Sequence, residues 1–220
     1  MSKVGVVLAG CGVFDGAEIQ EAVITLLALD RAGVETVIMA PDIEQLHTID
    51  HVSGDDMPAE IRNVQIESAR IARGKILDIN EVGSEDLDAL IFPGGFGVAK
   101  NLCDYAMVGP DCDVNPDVLR LTGEMINSSK PIGAMCIAPV MLAKVLELMG
   151  QSVRLTVGND ARTAADIESM GSKHVTCTAV EIVVDEANKI VTTPAYMTAG
   201  RISEAAEGIE KLVAAVLAMI

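Results

Sequence analysis

Tryptophan is missing, and aromatic residues make up only 2% of the 220 positions. The interior must therefore be built from Ala, Val, Ile, Leu and Met, which the 50% hydrophobic content supplies in a length suited to one sizeable core. Positive charge is also scarce. Sixteen Lys and Arg stand against 32 Asp and Glu, a net −16 that argues against nucleic acid and against anionic membrane surfaces. No uncharged apolar run reaches the roughly 18 residues of a membrane-crossing helix. The five cysteines form no C-x-x-C pair, and His47, His51 and His174 have no ligand spacing, so no metal site is expected. An odd set of thiols fits a reducing, cytoplasmic setting, in which Cys103 and Cys112 should stay unpaired. The opening Lys3 to Gly10 runs straight into a strand pattern, so no secretory signal is expected.

What is present alternates between two periodicities. Val4 to Ala9 is a continuous apolar run, as in a strand buried on both faces. A helix is expected from Ala17 to Arg31, with an apolar stripe of Ile19, Ala22, Val23, Leu26 and Leu27, ended by Gly33. Glu35–Ala40 and Leu87–Phe92 read as further strands. Between them, the irregular stretch Asp42–Val82 reads as an excursion with one helix near Glu60–Arg73. Leu102–Pro116 reads as a loop that could lie over the strand ends. A helix over Asp117–Asn127, a strand ending at Met135 and a helix through Leu148 follow. Then come a strand at Val153–Val157, a helix at Ala161–Met170, and strands Glu181–Val184 and Lys189–Thr193 joined at Asp185–Asn188. A final helix covers Thr198–Ala218. The pattern predicts one doubly wound α/β domain over residues 1–220, with a mainly parallel sheet and helices on both faces.

Three pieces could carry chemistry. Cys136 follows a short strand and precedes a helix, at the carboxyl end of the sheet where ligands bind and where helix amides favour a thiolate. A buried core cysteine is the alternative. Pro93-Gly94-Gly95-Phe96-Gly97 ends a neighbouring strand, and its glycines would let backbone amides approach a reacting atom, or merely form a tight turn. Gly16-Ala17-Glu18-Ile19-Gln20-Glu21 opens the first helix and offers a carboxyl for proton transfer. Glu18 and Glu21 could equally be ordinary first-turn acids, and the helical wheel sets Glu21 opposite the centre of the apolar stripe. Gly10 and Gly12 do not complete a dinucleotide fingerprint, because Asp15 holds the third glycine's place.

Together V-V-L-A…G-A-E-x-x-E, I-F-P-G-G-F-G-x-A-K-N-L and P-I-G-A-M-C-I-A-P resemble the ThiJ/PfpI superfamily of the class I glutamine amidotransferase-like fold. The resemblance is nearest to its ElbB-type branch, the isoprenoid biosynthesis proteins with an amidotransferase-like domain. It implies Cys136 as nucleophile, Glu21 as its acidic partner, and the amides of Gly95 and Ile137 as oxyanion donors. It also implies a cofactor-free, glyoxalase III-like lyase that converts a small 2-oxoaldehyde to a hydroxy acid; a homodimer is expected. A redox-sensing protein with an oxidisable Cys136 is the alternative. Ile137 stands where the more active superfamily enzymes carry a histidine, and no H-x-E follows Cys136, which counts against peptidase and glutaminase action. With the amides favouring the thiolate, the Glu21 pKa should rise and that of Cys136 should fall.

Overall fold

The computed structural model describes residues 1–220. Seven strands form one sheet: β1 (Lys3–Val7), β2 (Glu35–Ala40), β3 (Leu77–Asp78), β4 (Ala89–Phe92), β5 (Ile132–Met135), β8 (Val183–Asp185) and β9 (Ile190–Thr193). Their order is β3-β2-β1-β4-β5-β9-β8, parallel except for the β8–β9 hairpin. Strands β6 (Arg154–Leu155) and β7 (Lys173–His174) pair separately. The chain moves outward from β1 through β2 to β3 and then returns to β4 on the other side of β1. Such a reversal opens a crevice at the carboxyl ends of the strands.

The apolar runs of β1, β4 and β5 are almost wholly buried because helices cover both faces. One face holds α1 (Ile19–Arg31) and α7 (Ile202–Leu217), with Leu29, Ala205, Ile209 and Leu212 packed on Val4, Val6 and Ile91. The other holds α4 (Pro116–Asn127), α5 (Ala138–Leu148) and α6 (Ala161–Ser169), with Leu121, Met125, Leu142 and Ile167 against Leu90, Phe92 and Ile132. This is the doubly wound architecture expected from the alternation.

Several boundaries differ from the sequence pattern, each for a local reason. Helix α1 starts at Ile19 because Glu18 caps it, its carboxylate accepting from the Glu21 amide at 2.6 Å. Its face is also rotated from the expected stripe. Glu21, Ala22, Thr25 and Leu29 are buried, while Ile19, Val23 and Leu27 are exposed. Helix α2 spans only Val64–Ile71, since Asn63 caps it by accepting from the Ile66 amide at 2.9 Å. Ser84–Asp86 forms a 3-10 turn that holds Leu87 out of β4. The strand expected at Val153–Val157 shrinks to β6, because Thr156 donates its amide to Thr192 Oγ1 instead of to a ladder. Helix α7 starts late because residues 198–201 leave a 3-10 turn, with Thr198 donating to the Ala195 carbonyl. The 102–116 stretch is not a simple loop. It contains α3 (Tyr105–Val108) and a 3-10 turn at Gly109–Asp111.

No helix is long and apolar enough to cross a membrane.

Candidate active site

Strand β5 ends at Met135, and Cys136 turns the chain into α5 with φ +59°, a left-handed conformation that side chains rarely adopt. The strand's last ladder bond and the helix's first turn fix both neighbours, so the strain falls on the thiol-bearing residue. Its amide donates to the Thr193 carbonyl at 3.1 Å, tying the corner to β9. Cys136 therefore sits at the sheet's carboxyl edge as the sequence pattern required, 8% exposed.

Glu21 reaches this corner from the first turn of α1 and has no solvent exposure. Oε2 accepts from the Gly94 amide at 2.9 Å and Oε1 accepts from the Tyr196 amide at 3.1 Å, which sets the carboxyl beside the Cys136 side chain, close enough for the two groups to shift each other's pKa. The wheel-based reading of Glu21 as a surface acid is thus overturned. The last turn of the structure before α7, carrying Tyr196, and the Gly94 loop wrap the start of α1. They bury a face that an isolated helix would leave wet.

Burial disfavours the ionised carboxylate and lifts the Glu21 pKa to about 7; the two amide bonds oppose this without cancelling it. The Cys136 pKa is also raised, first by burial and then by the Glu21 charge, although the amides of Gly95 and Ile137 pull it down. The fall expected from helix amides alone does not occur, because a thiol removed from water beside a carboxyl gains little from two amide dipoles. Acid and thiol thus share a reluctance to ionise, and their titrations belong to the pair.

The glycines explain how the parts come so close. A Cβ on Gly94 would strike Cys136 Cβ and stand 2.7 Å from Glu21 Oε2. Gly95 has φ +99°, and a side chain there would collide with the backbone of residues 16–18. With neither side chain present, the Gly95 and Ile137 amides come near enough to the sulfur to pull its pKa down. The four residues singled out from the sequence thus meet in one place.

Gly95, Cys136 and Ile137 line a cavity of about 510 Å³ with Glu21 buried behind them, and its wall also carries Tyr105, Asp160, Arg162 and Tyr196. Sequence reasoning missed these four. Tyr105 comes from α3 and Tyr196 from the turn after β9, while Asp160 and Arg162 begin α6, so only the tertiary fold brings them together. Tyr105 donates its hydroxyl to Asp166 at 2.6 Å, and the Tyr196 hydroxyl bonds Gln20 Oε1. No histidine lines the cavity. His174 lies in β7, its Nε2 accepting from the Val157 amide at 3.2 Å. A larger space of about 690 Å³ opens beside Cys177, where Cys177 is engaged with Thr156 and Glu181 with the Thr178 amide and hydroxyl, while the Thr198 hydroxyl is buried without a partner. All five cysteines are free, and no group of three or more His, Cys, Asp or Glu is arranged to hold a metal ion.

A thiol on a strained strand-to-helix corner, backed by a buried acid and two amides, defines a nucleophile-elbow α/β protein. More narrowly, the chain belongs to the DJ-1/PfpI family, whose model matches residues 9–201. It is 47% identical to the human mitochondrial protein "glutamine amidotransferase-like class 1 domain-containing protein 3", over 98% of this chain and 82% of that one. It is 34% identical to the zebrafish (Danio rerio) mitochondrial ES1 protein, over 89% of this chain and 77% of the relative. Among solved structures, an isoprenoid biosynthesis protein with an amidotransferase-like domain from Ehrlichia chaffeensis superposes with a TM-score of 0.93 at 36% identity, covering 100% and 99% of the two chains. Drosophila melanogaster DJ-1beta, at 19% identity and a TM-score of 0.55 over 100% and 96% of the chains, shares the fold.

Proposed function

We propose that the chain is a glutathione-independent, glyoxalase III-like lyase acting on a small 2-oxoaldehyde, with Cys136 as nucleophile and Glu21 as proton shuttle. The observation that carries this reading is Glu21: a fully buried carboxyl, its pKa lifted to about 7, set beside the side chain of a strained cysteine. A carboxyl so placed can both give and take a proton near neutrality.

The chemistry follows from the geometry. The Cys136 sulfur adds to the aldehyde carbon, and the thiol proton ends on the former carbonyl oxygen, giving a hemithioacetal. The Gly95 and Ile137 amides stand where the oxygen carries negative charge during that addition. Glu21 then removes the proton on the thiohemiacetal carbon and returns one to the adjacent carbon through an enediol, so one carbon is oxidised as its neighbour is reduced. The product is a 2-hydroxy thioester, which water hydrolyses to the hydroxy acid and the free thiol. No external oxidant or cofactor is required. Because burial holds the thiol in its neutral form, thiolate is scarce near neutrality and turnover should be slow.

The rival reading is a sensor in which Cys136 is oxidised and Glu21 hydrogen-bonds the resulting sulfenic or sulfinic acid. It rests on the same nearness of carboxyl and thiol. The deciding experiment is hydroxy-acid formation from glyoxal without glutathione, by the native chain and by Cys136→Ser. Turnover abolished by the substitution supports the lyase; turnover unchanged by it rejects catalysis at this thiol.

A further inference from the structure

The cavity over Cys136 has a charge pattern that a neutral 2-oxoaldehyde would leave unused. Arg162, in the first turn of α6, stands at its exposed rim. Arg31, Arg62, Arg70 and Arg120 each reach a carboxylate within 4.0 Å, whereas Arg73, Arg154, Arg162 and Arg201 reach none, and of these four only Arg162 lines the cavity. The acid beside it, Asp160, is spent on its own helix: it caps α6, its Oδ1 accepting from the Thr163 amide at 2.8 Å. The other titratable groups on the wall are the Tyr105 and Tyr196 phenols, with Glu21 behind the sulfur. In a chain of net charge −16, a guanidinium that closes no ion pair within 4.0 Å and shares the rim only with the helix-capping Asp160 is the one cation at the mouth of the thiol-bearing pocket, and so the group there that attracts an anion.

We propose that Arg162 selects a substrate carrying a carboxylate at the end remote from the carbonyl that Cys136 attacks. This deepens the lyase reading and rests on it: the substrate class becomes a 2-oxoaldehyde with a terminal acid group. A guanidinium is charged at every working pH and presents a planar fork that matches a carboxylate with two parallel hydrogen bonds. With one end of the substrate held there and the other at the sulfur, the reacting carbonyl is oriented over the Gly95 and Ile137 amides. Arg162 is thus a specificity residue, and the proton transfers remain with Glu21.

The test needs no turnover. Iodoacetate and iodoacetamide both alkylate a thiolate, forming an S–C bond as iodide leaves, but only iodoacetate carries a carboxylate. Their rates at Cys136 are compared by mass spectrometry of the intact chain's peptides, with Cys177, outside the cavity, as internal control. Arg162→Gln should lower the iodoacetate-to-iodoacetamide rate ratio at Cys136 by about 3- to 5-fold, the size of one solvent-exposed charge pair, and leave the ratio at Cys177 unchanged. Arg162→Lys should retain part of the preference. A ratio at Cys136 that is the same in the native chain and Arg162→Gln overturns the assignment. Equal falls at Cys136 and Cys177 overturn it too, since they would report a change in overall charge. Neither result bears on the Cys136–Glu21 chemistry, which is tested by glyoxal turnover.

Discussion

The Gly94 amide donates to Glu21 Oε2 at 2.9 Å, while the missing side chain of Gly94 leaves the space that Cys136 Cβ needs. One residue therefore positions the acid with its backbone and admits the thiol by having no Cβ. Gly94→Ala should force the two apart. The expected result is a loss of about 1–3 kcal/mol of stability from overpacking, seen as a lower urea midpoint. Glyoxal turnover should fall by about 100-fold, as expected for misplacement of a catalytic group by about 1 Å. Native turnover in Gly94→Ala would show that the close packing is not required.

The raised pKa of Glu21 makes stability depend on pH with a definite sign. Below the ordinary carboxyl value of 4.5 the group is protonated in both folded and unfolded chains. Between 4.5 and about 7 the unfolded chain releases the proton and the folded chain keeps it, so folding loses stability as pH rises through that window. Glu21→Gln, which cannot ionise, should therefore gain on the native chain between pH 5 and pH 8, by an amount of order 3 kcal/mol. Urea unfolding at the two pH values measures it. A constant difference between the proteins would mean that Glu21 titrates normally.

Removing the Glu21 charge should also release part of the upward pressure on the thiol. The alkylation-versus-pH profile of Cys136 should move to lower pH in Glu21→Gln, because repulsion between carboxylate and thiolate is one cause of the raised cysteine pKa. Superimposable profiles would separate the two groups electrically and remove the basis for proton shuttling.

Asn101 carries a different prediction. Its Nδ2 donates to the Ala9 carbonyl at 2.9 Å and the Asp15 carbonyl at 3.0 Å, and its Oδ1 accepts from the Leu46 amide at 3.0 Å. It is 6% exposed and ties the loop after β1 to the 42–82 excursion. Asn101→Leu would leave these buried backbone groups unpaired and should cost about 2–4 kcal/mol. A thermal midpoint equal to that of the native chain would show that water replaces all three bonds.

The parts legible in the sequence were those written in consecutive residues. The corner at Cys136 follows from a short apolar strand running into a helix with Pro139 in its first turn. The glycine run after Phe92 announced its close approach in the same way. Glu21 was half legible: motif resemblance singled it out, whereas the helical wheel turned it outward. A wheel assumes one covering surface, but the start of α1 is enclosed by the Gly94 loop and Tyr196 as well as by the sheet. The rise in the cysteine's pKa was not legible, because helix amides can be read from local pattern and burial cannot. Arg162 and Tyr105 stayed hidden because they belong to elements that reach the site only through the fold.

The separation in chain of the groups around Glu21 also bears on when the site comes into being. Its carboxyl is held by amides 73 and 175 residues away, so no local hairpin or helix pair can assemble it. Contacts of such range close late, after the loops between them have lost their freedom. Cys136 should remain open to reagents through most of refolding and become guarded only when the turn carrying Tyr196 docks. The thiol is thereby a built-in clock for the final step of folding.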